Sequence, residues 1–354
     1  MRLPRIIAGA ACVAALSVGA VTGAAATKAN AYVVHNLVAN KAGPADHVDP
    51  DLVNGWGLAA RTTSPWWVAD NGTDVATIYQ ADGTKASLTV SVPEGPTGEV
   101  ANNGSNFVIA SGPNSGPALF IFASEDGKIR AWNPTVTGTS TLVGADRSTV
   151  GAIYKGLAIA STPGGDFLYA TDFHNGRVDV FDGSFNLVTT PGAFVDPDIP
   201  HRYAPFGIQT IGDRVFVTYA KQDGDAEDEV GGSGFGFVDA FDTSGNFLMR
   251  VASRGPLNAP WGLALAPAGF GEFGGDLLVG NFRGGHISAF TEEAGGFKFQ
   301  GQLHRTNGRL ITIHGLWALE FGLGATANGP TDTLFFTAGP NDEEDGLFGT
   351  IRAS

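Results

Sequence analysis

Cysteine is almost missing from this sequence. Its 354 residues include one cysteine, Cys12, which lies within an N-terminal segment that we interpret below as a cleaved signal peptide. The remaining chain then has no disulfide, no thiolate nucleophile and no cysteine-based metal site. Its stability must therefore come from a buried core, and a chain of this length is long enough to form one.

Positive charge is also scarce. The chain has 21 Lys and Arg against 35 Asp and Glu, which gives a formal net charge of −14. Nucleic acids and anionic membrane surfaces both require a basic partner, so the sequence argues against them. The acidic surplus favours solubility and is compatible with cation binding, which it does not by itself indicate.

Helical periodicity is absent after residue 31, and so are several catalytic motifs. The sequence has no Gly-x-Ser-x-Gly, no His-Glu-x-x-His and no phosphate-binding glycine loop. It has 51 glycines and 19 prolines, which suit many tight turns. These observations predict an all-β protein. No catalytic motif identifies a reaction.

The N-terminal segment 1–31 resembles a secretory signal peptide. Arg2 and Arg5 precede an apolar, small-residue stretch, and Ala29-Asn30-Ala31 is a typical cleavage site. The alternative is a membrane anchor, but the stretch is diluted by Gly and Ala. We therefore expect a secreted, extracellular chain that starts near Tyr32, with no stable membrane insertion after cleavage.

A short phrase containing a glycine before a hydrophobic strand occurs six times. The glycines are Gly57, Gly98, Gly156, Gly207, Gly262 and Gly315. Their spacing of roughly 52 residues is near the period of propeller blades. Within a repeat, alternating apolar and polar residues predict successive strands with one buried face.

The repeats predict one domain over 32–354, an all-β six-bladed β-propeller with four-stranded blades. The sixth repeat ends after its third strand, 347–351, and the segment 32–38 supplies the missing strand. The N-terminal strand should therefore pair with the last blade and close the ring. Seven blades is the alternative, with 186–203 as the spare segment.

One repeat and several phrases resemble known propeller sequences. The segment 168–182 is similar to an NHL-type repeat, and the phrases 49–58, 67–72 and 122–127 resemble an uncharacterised family of exported bacterial proteins. The resemblance implies a propeller and no assigned reaction. Relatives in that family often end in a PEP-CTERM sorting tail, which this sequence lacks at 352–354.

The residue before each repeated glycine is predicted to lie at the centre of one face, which we call the top face. On this face lie the loops from strand two to strand three of each blade and the loops between blades. The ring residues are Trp56, Thr97, Lys155, Phe206, Trp261 and His314. They could line a ligand pocket at the channel mouth, or the aromatic ones could simply plug the channel.

Histidines and carboxylates in top-face loops raise the possibility of a metal site. His174, His286 and His314 could hold a transition metal such as zinc or copper if they converge, although no short ligand spacing links them. Asp70, Asp126 and Asp172 follow second strands, where they could bind Ca²⁺ or cap turns. The acidic loop 221–230, with Asp223 and Asp225, is either a Ca²⁺ site or a solvated loop.

The sequence leaves three functions open. The first is a binding module for a small molecule or cation at the top-face channel mouth. The second is a metal-dependent hydrolase or lyase acting on a lactone, ester or sugar. The third is a scaffold that recognises a protein or an extracellular polymer such as the cell wall, and the fold alone cannot choose among them.

Overall fold

The computed structural model describes residues 29–188 and 192–354. Within these residues the chain is almost entirely β, with one short α-helix, α1 (Pro134–Thr137), and 3₁₀ turns at Asn71–Thr73, Ser148–Val150 and Gly271–Phe273. None of the helices in the described ranges is long and apolar enough to cross a membrane. The proposed signal peptide lies outside the described residues up to residue 28.

The N-terminal half of the ring contains three blades. Blade 1 comprises β3 (Gly55–Ala59), β4 (Trp66–Asp70), β5 (Val75–Tyr79) and β6 (Val90–Ser91). Blade 2 comprises β7 (Pro96–Ala101), β10 (Phe120–Ser124), β11 (Lys128–Trp132) and β12 (Leu142–Asp146), with a hairpin of β8 (Val108–Ser111) and β9 (Asn114–Pro117) inserted after its first strand. Blade 3 comprises β13 (Tyr154–Thr162), β14 (Gly165–Asp172) and β15 (Arg177–Asp182).

The C-terminal half completes the ring. Blade 4 comprises β16 (Tyr203–Ile211), β17 (Arg214–Lys221), β18 (Phe237–Asp242) and β19 (Phe247–Ser253). Blade 5 comprises β20 (Pro260–Leu265), β21 (Leu277–Asn281), β22 (Ile287–Glu293) and β23 (Gly296–Gln302). Blade 6 comprises β24 (Leu316–Phe321), β25 (Leu334–Ala338), β26 (Leu347–Ala353) and β1 (Tyr32–Ala39), with β2 (His47–Val48) at its outer edge.

The ring is closed as the sequence predicts. Strand β1 pairs antiparallel with β26, so that Tyr32 faces Ala353 and Val34 faces Ile351. The innermost strands contact one another in order, and β24 of the last blade contacts β3 of the first. The six-bladed prediction is therefore confirmed, and the described residues form no seventh blade sheet.

Blade 3 departs from the predicted four strands. In the described part of the chain its sheet has three strands, and only an isolated bridge between Phe181 and Leu187 marks the position of a fourth. The backbone N–H of Val188 donates to the carbonyl of Val180, which extends this contact by one residue. Within the described residues, the contacts of an outer strand in blade 3 are therefore those of Leu187 and Val188.

Close packing of the inner strands explains the repeated glycine. A Cβ on Gly207 would lie 2.1 Å from the carbonyl oxygen of Trp261 in the next blade, and one on Gly98 would lie 2.2 Å from the backbone nitrogen of Leu157. Such contacts are far inside van der Waals distance, so a side chain here would push the blades apart. The repeat therefore reflects blade packing at the axis.

Threonine hydroxyls form hydrogen bonds across four of the interfaces between blades. Each donates a hydrogen bond of 2.6–2.8 Å to a backbone carbonyl of the next inner strand. The donors are Thr97, Thr171, Thr218 and Thr337. The accepting carbonyls lie at the bulges of the first strands, so these buried bonds connect neighbouring blades where the sheet ladder is irregular.

Candidate functional site

An aromatic cluster fills the axis of the propeller. Trp56 stacks on Trp317 with ring centroids 3.7 Å apart, and Phe206 and Trp261 lie 6.5 and 6.2 Å from Trp56. Phe282 covers the other side of Trp317 at 3.8 Å. All five rings are buried, so we call them the aromatic plug. Of the two roles that the sequence left open for the aromatic ring residues, the structure supports packing.

His314 is not a member of this ring, which corrects the sequence prediction. Leu316 pairs with Ala338 as Pro260 pairs with Asn281 in blade 5, so Trp317 and Ala318 occupy the positions of Trp261 and Gly262. The phrase around Gly315 lies three residues too early. His314 is instead exposed and lines a cavity of about 320 Å³ on the top face.

Lys155 is the charged member of the predicted ring. Its side chain is 2% exposed, and its Nζ lies 2.5 Å from Glu125 Oε1, 3.1 Å from Asp228 Oδ1 and 5.4 Å from the centroid of the Trp56 ring. Burial disfavours the ammonium, but the two carboxylates outweigh it and raise the pKa of Lys155. Lys155 is therefore a fixed cation above the plug and is not a base near neutral pH.

Amide side chains connect this ion pair to the plug. Asn71 donates to Glu125 Oε2 over 3.0 Å, and Asn54 donates to Asn71 Oδ1 over 3.2 Å. Trp317 Nε1 in turn donates to Asn54 Oδ1 over 2.9 Å. Residues of blades 1, 2, 3, 4 and 6 thus contribute to one hydrogen-bonded group, which we call the top-face network.

The blade 6 loop enters this network through an unusual backbone. Asn341, Asp342 and Glu343 all have positive φ, at 59°, 51° and 70°. Three consecutive non-glycine residues in the left-handed region are costly, and such strain concentrates at functional sites. The turn places Glu343 Oε2 2.8 Å from Asn54 Nδ2, and burial raises the pKa of Glu343.

Blade 5 adds a guanidinium next to a buried acid. Arg283 Nε donates to Glu229 Oε1 over 2.9 Å, and its Nη1 lies 3.9 Å from Asp342. Burial raises the pKa of Glu229 to about 7, against the opposing effect of Arg283. Arg283, Asp342 and His314 line the cavity of about 320 Å³, and Phe282 of the plug forms its floor. This cavity and the top-face network form the candidate site.

The predicted aspartates are engaged locally. Asp70 is fully buried and accepts hydrogen bonds from the backbone and hydroxyl of Thr77, and its pKa is raised by burial. Asp126 is paired with Lys128 and Arg130. Asp172 accepts from Asn175 and is paired with Arg177. Each therefore supports its own turn or strand.

The predicted histidine and acidic-loop ligands do not converge. His286 Nδ1 lies 3.0 Å from the carbonyl of Ile311, whereas His174 Nδ1 is buried without a partner in the described chain. Asp223 accepts from the backbone N–H of Glu227 and thereby shapes the loop that also contains Asp225. Within 29–188 and 192–354, no three His, Asp, Glu or Cys side chains are arranged to hold a metal ion.

The sequence predicts the positions of Lys155 and of the acidic loop 221–230, but it does not identify the carboxylates that contact Lys155. Glu125, Asp228, Glu229, Arg283 and Glu343 lie in the loops between second and third strands of blades 2, 4, 5 and 6. The acidic runs 223–229 and 342–345 were a usable signal, because both belong to loops on the same face as Lys155. Which carboxylate reaches the axis depends on loop conformation, which composition does not specify.

Comparison with solved structures shows the fold alone. The chain superimposes on a Bacteroides thetaiotaomicron protein of unknown function with a TM-score of 0.57 and 10% identity, covering 91% of this chain and 76% of that one. A streptogramin B lyase gives a TM-score of 0.53 at 12% identity, covering 91% and 98%. The PQQ-bound aldose sugar dehydrogenase of Streptomyces coelicolor gives 0.50 at 15%, covering 92% and 100%.

Sequence comparison identifies closer relatives. No family model matches the chain. It is 35% identical over 334 residues to the uncharacterized protein R648 of Acanthamoeba polyphaga mimivirus, covering 90% of this chain and 80% of R648. It is 34% identical over 339 residues to the uncharacterized protein L690 of the same virus, covering 90% and 85%. The chain therefore belongs to the protein family that includes mimivirus R648 and L690.

Proposed function

We propose that the top-face site binds a small polyhydroxylated ligand of about the size of a monosaccharide. The observation that carries this proposal is the alternation of charge around the plug. Arg283 offers N–H donors at the cavity and Asp342 offers an acceptor. Glu125 and Asp228, which are partly exposed beside the buried Lys155, offer further acceptors. A hydroxyl group both donates and accepts, so adjacent hydroxyls match such an alternating set.

The size of the cavity fits this ligand class. Its volume of about 320 Å³ lies at the lower end of the range of small-molecule sites, about 300–1,000 Å³. The groups that line it are held by other residues, since Arg283 is fixed by Glu229 and the loop of Asp342 is anchored through Asn54. A site whose side chains are already ordered loses less entropy on binding.

Calorimetric titration of the full chain with D-glucose, D-galactose and D-glucono-1,5-lactone tests the proposal. We expect one of these probes to bind, and Arg283→Gln to weaken that binding at least tenfold. Arg214→Gln is the matched control, because Arg214 also donates two hydrogen bonds to one glutamate, Glu292, at an exposed position away from the site. Failure of all three probes, or equal weakening by both substitutions, would contradict the proposal.

An enzyme at the same site is a second candidate, favoured by Glu229. A carboxyl group with a pKa of about 7 can exchange a proton at neutral pH, and such perturbed groups are common in active sites. A hydrolase or lyase acting on a bound lactone, ester or sugar could use it as general acid or base. Turnover of D-glucono-1,5-lactone that is lost in Glu229→Gln, with binding retained, would favour this candidate over a pure binding module.

Export to the cell exterior is part of the same proposal. It is supported by the sequence of the N-terminal segment. N-terminal sequencing of the protein recovered from a culture medium tests it, and we expect the chain to begin near Tyr32. The third function, recognition of a protein or an extracellular polymer, stays a prediction that no contact in the described chain specifically favours.

A further inference from the structure

A second cavity lies on the opposite side of the aromatic plug. It has a volume of about 150 Å³, with Leu58 and Trp66 among its apolar walls. Leu323, 44% exposed, lies at its opening, and a smaller recess continues from it to Trp261 on the underside of the plug. We call this space the lower cavity. Because each first strand runs from the top face downward, residues that follow the ring glycines face it.

A glutamate lies where the other blades have an aliphatic residue. The residue after the ring glycine is Leu58, Leu157, Ile208 or Leu263 in blades 1, 3, 4 and 5, and Leu319 follows Ala318 in blade 6. Blade 2 has Glu99 at this position, and Glu99 lines the lower cavity. Packing at the axis does not require a carboxyl group, since five blades achieve it without one.

Among the residues that the structure describes, none forms a hydrogen bond with the carboxyl group of Glu99. Glu99 is 6% exposed, and both its oxygens are buried without a hydrogen bond to any residue in the described ranges. Burial raises its pKa well above the usual value, and the negative charge of Asp70 adds to this. The hydroxyl of Thr210, which also lines the cavity, is likewise buried and unpartnered. Buried polar groups are nearly always hydrogen-bonded, so this cluster lacks something that would satisfy it.

A second acid lies across the same cavity. Gln209 Nε2 donates to Glu320 Oε1 over 2.5 Å, and burial raises the pKa of Glu320 to about 8. The lining residues include no Lys, Arg or His. The polar part of the wall thus consists of two carboxyl groups, an amide and a hydroxyl, and once the carboxyl groups are ionised its free positions are mainly acceptors.

These features define the ligand that would fit. We infer that the lower cavity binds a small organic cation of the alkylguanidinium or alkylammonium class through Glu99 and Glu320. Such a cation supplies the missing N–H donors and the missing positive charge, and its alkyl part matches the apolar wall. A cavity of about 150 Å³ accepts a molecule of about the size of benzene. This site is separate from the sugar site proposed above and does not depend on it.

Calorimetric titration of the full chain with methylguanidinium and n-butylammonium at pH 8 and constant ionic strength tests the inference. We expect one cation per chain to bind. We also expect binding to release protons, because the carboxyl groups that contact the cation become ionised. Glu99→Gln and Glu320→Gln should each weaken binding at least tenfold, and binding should weaken between pH 8 and pH 6.

Two controls make the result decisive. Glu292→Gln removes an exposed carboxyl far from the cavity and should leave the affinity within twofold of the original. Glu99→Leu gives blade 2 the residue class of the other blades, so it should abolish binding and raise the melting temperature. No binding by either probe, undiminished binding in Glu99→Leu, or a preference for Ca²⁺ over both organic cations would overturn the inference.

Discussion

The two ends of the propeller axis bury charge in different ways. Above the plug, the Lys155 ammonium contacts two carboxylates, and amide side chains connect one of these, Glu125, to Trp317. Below it, Glu99 has no hydrogen-bond partner within the described chain. A buried charge that is paired can be a stable part of a folded protein, whereas an unpaired buried carboxyl is costly and becomes neutral. The upper end is therefore preorganised, and the lower end lacks a donor.

This contrast arises from one structural element. Lys155 precedes its ring glycine and Glu99 follows its own, and the close packing of inner strands at those glycines fixes both positions. A difference of two residues along the same type of strand decides which end of the axis a side chain faces. The plug between them keeps the two electrostatic environments separate.

Removing the plug should have the largest effect. Trp317→Ala deletes a buried ring that stacks on both Trp56 and Phe282, and such substitutions cost about 3–5 kcal/mol. Chemical denaturation should show this loss in the free energy of unfolding. Phe299→Ala, at a position 44% exposed, should cost under about 1 kcal/mol. Similar values for the two variants would contradict a packed axis.

The upper charge cluster gives the next largest expected effect. Lys155→Met keeps most of the buried stem and removes the ammonium, leaving Glu125 and Asp228 without their partner. Because both carboxylates retain solvent contact, we expect a loss of about 2 kcal/mol, less than for a fully buried pair. Lys298→Met, at an exposed surface pair, should change the free energy of unfolding by under about 0.5 kcal/mol. Equal effects in denaturant titrations would show that the Lys155 network is not structural.

The lower end should show itself in the pH dependence of stability. The pKa of Glu320 is raised from 4.5 to about 8 by folding, so its contribution is fully present below pH 4.5 and is lost as pH rises to about 8. Melting temperatures from pH 4 to 9 should therefore fall more in the original chain than in Glu320→Gln. Because Glu320 keeps partial contact with solvent, we expect the pH-dependent loss in the free energy of unfolding to differ between the two proteins by about 2 kcal/mol. Parallel pH profiles for the two proteins would show that folding does not raise the pKa of Glu320, which would contradict its burial.

The smallest expected effect concerns His314. Because its side chain is exposed and outside the ring, His314→Ala should change stability by less than about 0.5 kcal/mol. The same substitution should weaken binding of the sugar probe severalfold, since His314 lines the upper cavity. Calorimetry combined with thermal melting separates these outcomes. A large loss of stability would contradict this assignment and indicate that His314 packs in the ring.

The sequence predicts the fold well because the fold depends on local, repeated features. Glycine spacing gives the blades, and the truncated sixth repeat predicts the pairing of 32–38 with 347–351, which the register confirms. It misplaces the sixth ring position because His314-Gly315 imitates the phrase, while the true position has Ala318 in place of glycine. Only strand register distinguishes the two.

The site is less predictable than the fold. Lys155 is expected at the centre from its position before a glycine, but its contacts with Glu125 and Asp228 join loops that are far apart in sequence. The left-handed backbone of 341–343 places Glu343 in the network. Because none of these three residues is glycine, the sequence does not indicate this conformation. The second repeat alone does not mark Glu99 as unusual either. Its difference becomes visible only when the six blades are aligned and the other five have an aliphatic residue at the equivalent position.

A crystal structure of the full chain soaked with both methylguanidinium and the bound monosaccharide tests the division of the axis most directly. The account predicts a closed plug at Trp56 and Trp317, the sugar above it near Lys155 and Arg283, and the cation below it between Glu99 and Glu320. A continuous water-filled channel through the axis, or both ligands at the same end, would contradict it.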